Sequence, residues 1–339
     1  YILWGSIFYT SINIPYGSMA SAISSDPKDR ADLSTWRTIG STLANMVIGV
    51  ATPMVAYVVV DGKTIMSGSR MTIIAGVFSI CAILCYIVCF KLTSERVEVP
   101  ASNQKISASA IFKSIFTNKA LLGIIVAAIF VLLSQLTVMS LAGYVYPHVY
   151  GSAAAQSTAS LLGTVVMLVV CAPFASKLSA KFGKKELAMG SSIISALVWL
   201  VCLIWRPASV WGFVACYILA NIGMGFFNTI IWAMITDVID DAEVRNGMRE
   251  DGTIYSVYSF ARKLGQAFSS GLVGALLGII GYTEATAFDP AVTRGIFNMA
   301  CIAPIIGFVC IVLALAFLYP LNKKKVEENV AELAARRNK

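Results

Sequence analysis

Charge and histidine are both scarce in this sequence. Of 339 residues only 13% are Asp, Glu, Lys or Arg, and His148 is the one histidine. An ordinary soluble domain carries about twice that charge, so the shortage excludes one. With a single His, and with no HExxH, GxSxG or phosphate-cradling GxxxxGK[ST] pattern, the sequence offers no nucleophile with a base and no metal set. No catalytic residue, metal site or cofactor is assigned, and the expectation is a protein that is not an enzyme. Cys81, Cys85 and Cys89 recur every four residues on one helix face without His or carboxylate company, so they read as small packing hydrophobes. His148 reads as an ordinary residue at an outer helix end.

What the sequence has is apolar length. Apolar residues make up 58% of it, and stretches of about 20, enough to cross a hydrocarbon core, recur throughout. The fold class expected is an all-α integral membrane protein. Nine spans are read, at about 2–22, 37–60, 70–90, 120–146, 154–176, 187–205, 209–236, 253–280 and 293–320. One set of connecting segments, including "DPKDR", "KLSAKFGKKE" and the tail "NKKKVEENVAELAARRNK", holds 19 of the 26 basic residues, and the opposite set holds four. Cytoplasmic segments carry that excess, so the C-terminus is expected in the cytoplasm and the protein in the plasma membrane. The net charge of +8 then reflects topology and attraction to anionic lipid rather than nucleic acid.

Three spans precede the one long polar segment, 91–119, and six follow it. Many transporters join two six-helix halves through such a linker, so three further spans are expected before Tyr1. The domains read as 1–90, the last three helices of an N-terminal bundle; 91–119, a cytoplasmic linker; 120–320, a C-terminal six-helix bundle; and 321–339, a cytoplasmic tail.

Polar residues inside the spans need a reason to be there. Thr10 and Asn13 share a helix face, with Pro15 and Gly17 close behind, as suits a helix lining a cavity; a bond to a neighbouring helix is the alternative. Arg37 stands near the start of its span and could snorkel. Trp232 sits in an apolar span with Asn221 and Asn228 seven residues apart, an aromatic group beside a polar stripe. Lys263 lies about 15 Å into its span, near the midplane, where an uncompensated charge costs at least about 2.5–3.5 kcal/mol. Arg262 is about 100° further round the helix, so the two cations cannot share one space. One is expected to face an aqueous cavity, and the other to meet a carboxylate or carbonyls on an adjacent helix.

Two stretches, "INIPYGSMASAISSDPKDRADLSTWRTIGS" and "ITDVIDDAEVRNGMREDGTIYSVYSFARKLGQA", resemble the signature regions of the glycoside-pentoside-hexuronide:cation symporters, a family of the major facilitator superfamily that includes the melibiose permease type. The resemblance runs the length of the chain. It implies the major facilitator fold of twelve helices, the last nine present here, and alternating access driven by a cation gradient. It also implies that Arg37 and Lys263 are basic sugar-site residues, that Trp232 lies beside the sugar, and that Thr10 belongs with the cation.

Asn13 stands where the melibiose type has a bridging Asp, and Gly17 where it has a stacking Trp. Both positions are retained as substrate contacts, Asn13 also as a cation position. An amide supplies no negative charge for Na⁺, which favours H⁺ as the coupling ion. Arg30, Asp237, Asp240 and Arg249 resemble an inner gate closed by ion pairs, with solvated loop charges the plain alternative. The partners expected are a small sugar, the coupling cation and lipid, with the protein a monomer. The alternative function is a carrier of lipid or another amphipathic solute on the same fold.

Overall fold

The computed structural model describes residues 27–60, 63–94, 118–246 and 251–337, with six isolated positions before residue 27; of residues 27–39 it describes the backbone alone. The chain divides into two compact units, Tyr1–Val58 with Met66–Lys105, and Val59–Ile65 with Ile106–Lys339. The boundary at 105 falls inside the polar segment 91–119.

In the first unit the helices are α1 (Pro27–Ala56) and α2 (Gly68–Leu92). The span expected to reach residue 60 stops at Ala56. Beyond it β1 (Tyr57–Val60) and β2 (Lys63–Met66) pair in a two-stranded sheet, an exception to the all-α expectation. The reason is local: "YVVV" and "KTIM" are rich in β-branched residues, and the Asp61-Gly62 dipeptide between them is a hairpin-turn signal. Ser67 then starts α2, its side chain accepting from the Arg70 amide at 3.5 Å. No residue of α2 is buried, although its best window has a mean hydropathy of 2.7. A helix apolar on every side belongs in lipid or against other apolar helices. The first span lies outside the described residues, and Thr10, Asn13 and Gly17 with it.

Beyond the hairpin residues Val59–Ile65, the second unit continues with α3 (Lys119–Tyr144), capped by Asn118 and extended by a π-helical turn, Val145–Val149. Next come α4 (Ala153–Val166), a second π turn (Met167–Cys171) and α5 (Ala172–Phe182). Gly183, at φ +103°, makes the bend that only glycine adopts freely and leads into α6 (Lys184–Trp205). The unit is completed by α7 (Val210–Asn246), α8 (Asp251–Ile279), α9 (Pro290–Phe317) and a tail helix, α10 (Lys323–Arg337).

Among the described residues six helices are long and apolar enough to cross a membrane: α2, α3 with its π turn, α4 running through α5, α6, α7 and α9; α1 adds a shorter apolar stretch, Gly40–Ala56. The chain is thus a helical multi-pass membrane protein. Two spans run past their expected ends, 154–176 to Phe182 and 209–236 to Asn246. In α7 the charged run "DVIDDAEVR" meets no helix breaker before Gly247, so the helix continues about 15 Å beyond its apolar part.

Helix α3 packs against α8 and α9, α9 against α6, α6 against α7, and α7 against α4 and α10. Lipid gives helices no hydrophobic reason to associate, so close approach at small residues does much of the work. A Cβ on Gly123 would stand 2.8 Å from the Tyr319 amide nitrogen, and one on Gly265 would stand 3.0 Å from the Ile129 carbonyl oxygen. The α8 contact fixes that helix's rotation. Ile254, Val257, Tyr258, Ala261, Gly265 and Ser269 are buried at helical spacing, which commits that face to the bundle. Lys263 is two residues before Gly265, about 200° round, and therefore points away from α3.

Candidate functional site

On its outward side α8 carries Ser259, Lys263, Gln266 and Ser270, all exposed and all within about a third of a turn of one another round the helix. Lys263 is the thirteenth of the helix's 29 residues, close to its middle. Among the described residues no carboxylate forms an ion pair with it. Trp232 of α7 is 45% exposed. Of the two expected sugar-site residues in the second unit whose side chains the structure describes, Trp232 lies against Arg262 and Tyr258 of α8, and Lys263 stands on that helix's outward side, about 100° round from Arg262.

Arg262 departs from expectation. Among the described residues it meets neither carboxylate nor carbonyl on an adjacent helix. Its guanidinium carbon lies 5.5 Å from the centroid of the Trp232 ring and 5.8 Å from that of Tyr258, and its Nη1 donates to the Tyr258 hydroxyl at 3.3 Å. Tyr258, 1% exposed, meets Trp232 edge-on with centroids 5.4 Å apart. At this level α7 offers α8 aromatic surface, and a planar, weakly hydrated cation satisfies itself on rings. Tyr258 escaped the sequence reading, yet it stands four residues before Arg262 and so on the same face.

The polar stripe expected on α7 is only partly realised. Asn228 donates to Gln135 of α3 at 3.4 Å, tying α7 to α3 next to the site. Asn221 instead donates to the Tyr217 carbonyl of its own helix at 2.8 Å. Gln135 was also missed, although it is the one amide in the apolar run of α3.

The far end of α7 is arranged differently. Asp237, expected at the gate, is 6% exposed and pairs with Lys184 of α6 at 2.5 Å, inside its own unit. Asp240 is half-buried on the same helix. Asp241, which the sequence reading passed over, is the most enclosed at 1% exposed; it pairs with Arg245 at 2.8 Å and accepts from Asn329 of α10 at 3.1 Å. Arg336 of α10 donates to the Val244 and Glu243 carbonyls, at 3.0 and 3.4 Å, covering the orphan acceptors at the helix end. Tyr319 donates to the Met234 carbonyl at 3.3 Å, and burial, then the nearby Asp237 and Asp241, hold its phenol well above its usual pKa. The remaining gate and site residues are less accessible: Arg30 and Arg37 lie in α1, where only the backbone is described, and Arg249 is outside the described residues.

His148 closes the opposite end of the bundle, its Nδ1 donating to the Tyr144 carbonyl at 3.0 Å and its Nε2 3.5 Å from the Tyr282 hydroxyl. With the Nδ1 proton given to that carbonyl, the neutral ring's Nε2 can only accept, so the Tyr282 hydroxyl is the donor of the second contact. Cys81 and Cys85 are exposed on α2, and among the described residues no three His, Cys, Asp or Glu side chains are grouped to hold a metal.

A lysine at mid-helix among hydroxyl and amide side chains, on a helix packed into a bundle of apolar helices, suits a solute pathway. Comparison with known proteins agrees. The family model for MFS/sugar transport proteins matches residues 1–323. The chain is 30% identical over 336 residues to an uncharacterized symporter of Bacillus subtilis (strain 168), YjmB, covering 98% of this chain and 71% of that protein. It is 28% identical over 338 residues to a glucuronide carrier protein homolog of Escherichia coli (strain K12), covering 97% and 71%. This chain is a membrane transporter rather than an enzyme, and it belongs to the MFS/sugar transport protein family.

Proposed function

We propose that the protein is a cation-coupled sugar symporter of the glycoside-pentoside-hexuronide type, working by alternating access on the twelve-helix major facilitator plan, nine of whose helices this sequence carries. The observation that supports this most is Lys263, exposed at mid-helix among hydroxyl and amide side chains of α8, the helix whose Tyr258 and Arg262 lie against Trp232. A face bearing a bare ammonium at that depth is costly against lipid and suited to a watery cavity. There the Trp232 ring can lie along the apolar face of a sugar while Lys263 donates to its hydroxyls or carboxylate.

The substrate proposed is a sugar or glycoside bearing a carboxylate, a hexuronide. Lys263 and the neighbouring Arg262 make this part of the unit positive, and the glucuronide carrier homolog is among the proteins it resembles. Arg37, Asn13 and Gly17 complete the substrate contacts, and Thr10 with Asn13 the cation position. H⁺ rather than Na⁺ is the proposed coupling ion, because an amide at residue 13 supplies no charge for a metal cation. Arg30, Asp237, Asp240 and Arg249 are proposed as the cytoplasmic gate. Asp237 also holds Lys184 within its own unit. The protein is placed in the plasma membrane with its C-terminus in the cytoplasm.

The test is uptake of radiolabelled glycosides, pentosides and hexuronates into vesicles holding the full-length protein, with imposed H⁺ or Na⁺ gradients. A proton gradient should drive accumulation of a hexuronide, and Lys263→Ala should abolish it. Accumulation indifferent to Lys263, or of no sugar at all, would sink the assignment.

A further inference from the structure

We propose that Arg262 is a positioning residue of the sugar site: it holds the Trp232 indole in the orientation that presents its open surface to the substrate. This rests on the reading of Trp232 as a sugar contact. A half-buried arginine near the membrane midplane is ordinarily explained by a carboxylate, by backbone carbonyls, or by water reached through snorkelling. Its recorded contacts are a tyrosine hydroxyl and two aromatic rings.

The geometry gives those contacts a consequence. Tyr258 and Arg262 are one turn apart on α8, and both lie against the same indole of α7, the phenol ring edge-on at 5.4 Å and the guanidinium at 5.5 Å. Tyr258 is packed in the bundle and cannot shift easily. Its hydroxyl accepts from Arg262 and so fixes the guanidinium in turn. The indole is thus braced from α8 by two groups that are themselves held, and the 45% of Trp232 left exposed is what remains for a ligand. A sugar ring stacks only on an aromatic surface already facing it, and a side chain held by its neighbours loses less freedom on binding. Arginine suits the post because its plane can lie on a ring while its edge hydrogen-bonds, which an ammonium cannot do. Lys263, next in sequence but about 100° away, remains available to the substrate.

The experiment measures uptake of radiolabelled methyl β-D-glucuronide by the full chain in vesicles, for the unmutated protein, Arg262→Lys, Arg262→Met, Trp232→Leu and the Arg262→Met/Trp232→Leu pair. Alongside it, the emission of Trp232 is read as the difference between proteins with and without Trp232→Phe, in the Arg262 and Arg262→Met backgrounds. Both Arg262→Lys and Arg262→Met should raise the half-saturating concentration about tenfold while the maximal rate stays within about twofold. Arg262→Met should add nothing once Trp232 is gone. The Trp232 emission should shift and become easier to quench with acrylamide in Arg262→Met. Independent, multiplying effects of the two substitutions would overturn the proposal, as would Arg262→Lys behaving like the unmutated protein. If Arg262→Met fails to accumulate in the membrane, Arg262→Lys decides by the same two readouts. Normal affinity in Trp232→Leu, or no uptake by the unmutated protein, refutes the sugar-site reading instead, and the emission difference then decides the brace alone.

Discussion

Two carriers of formal charge in the second unit, Lys263 of α8 and Asp241 of α7, have opposite surroundings. Asp241 is 1% exposed, with Arg245 at 2.8 Å and Asn329 at 3.1 Å. Lys263 is exposed, at the middle of its helix, and is joined by none of the ion pairs among the described residues. The contrast separates two uses of polarity in a membrane protein. A buried charge that has its partners ties helices together, whereas a charge kept in reach of solvent and short of partners keeps its hydrogen-bonding capacity for something that arrives later.

Replacing each tests the contrast. Lys263→Ala should lower uptake by about 100-fold or more, equivalent to roughly 2.7 kcal/mol, while the thermal midpoint of the purified protein stays near that of the unmutated one. An unfolding midpoint that fell with uptake would make Lys263 structural and remove the distinction. Asp241→Ala should do the reverse. Buried Asn329 loses its acceptor and half-exposed Arg245 its partner, at a cost of about 2–3 kcal/mol in stability, and less protein should survive extraction at elevated temperature. Uptake per surviving molecule should stay within about threefold. Replacing Asp241 and Asn329 together by Leu should recover much of the lost stability, because an apolar pair leaves no orphan acceptor or donor.

Much of this contrast could be read from the sequence, but unevenly. Lys263 stood out because a charge in an apolar run is costly wherever its helix turns, and its depth followed from counting residues. What Arg262 touches did not follow, since its partner comes from α7 and only the packing of α7 on α8 brings Trp232 to it. Asp241 was overlooked for a related reason. In "DVIDDAEVR" three aspartates look alike, and what singles out Asp241 is Asn329 of α10, whose helix is too polar to show in a search for spans. The membrane helices were legible from apolar length to within a few residues for α3, α6 and α9. The β1–β2 hairpin was hidden because "YVVV" is apolar and passes for the end of a span, although Asp61-Gly62 was signal enough to stop it.

The tail helix gives the smallest and most local version of the same contrast. Arg336 is 44% exposed, holds Glu332 at 2.6 Å within its own helix, and reaches the last carbonyls of α7 with its guanidinium. Cations near a helix C-terminus also interact favourably with its dipole, and the two effects together amount to about 1 kcal/mol at a partly solvated position. Arg336→Ala should therefore lower the unfolding midpoint slightly and leave uptake unchanged. Arg336→Lys should recover part of that loss, since an ammonium keeps the charge but not the fork that spans two carbonyls. Hydrogen exchange at residues 241–246 would localise the effect, with faster exchange expected there than at the Trp232 level of the same helix. Equal loosening at both levels would mean that the tail braces the whole of α7, and that the fold-holding and solute-facing ends of this helix are one mechanical element.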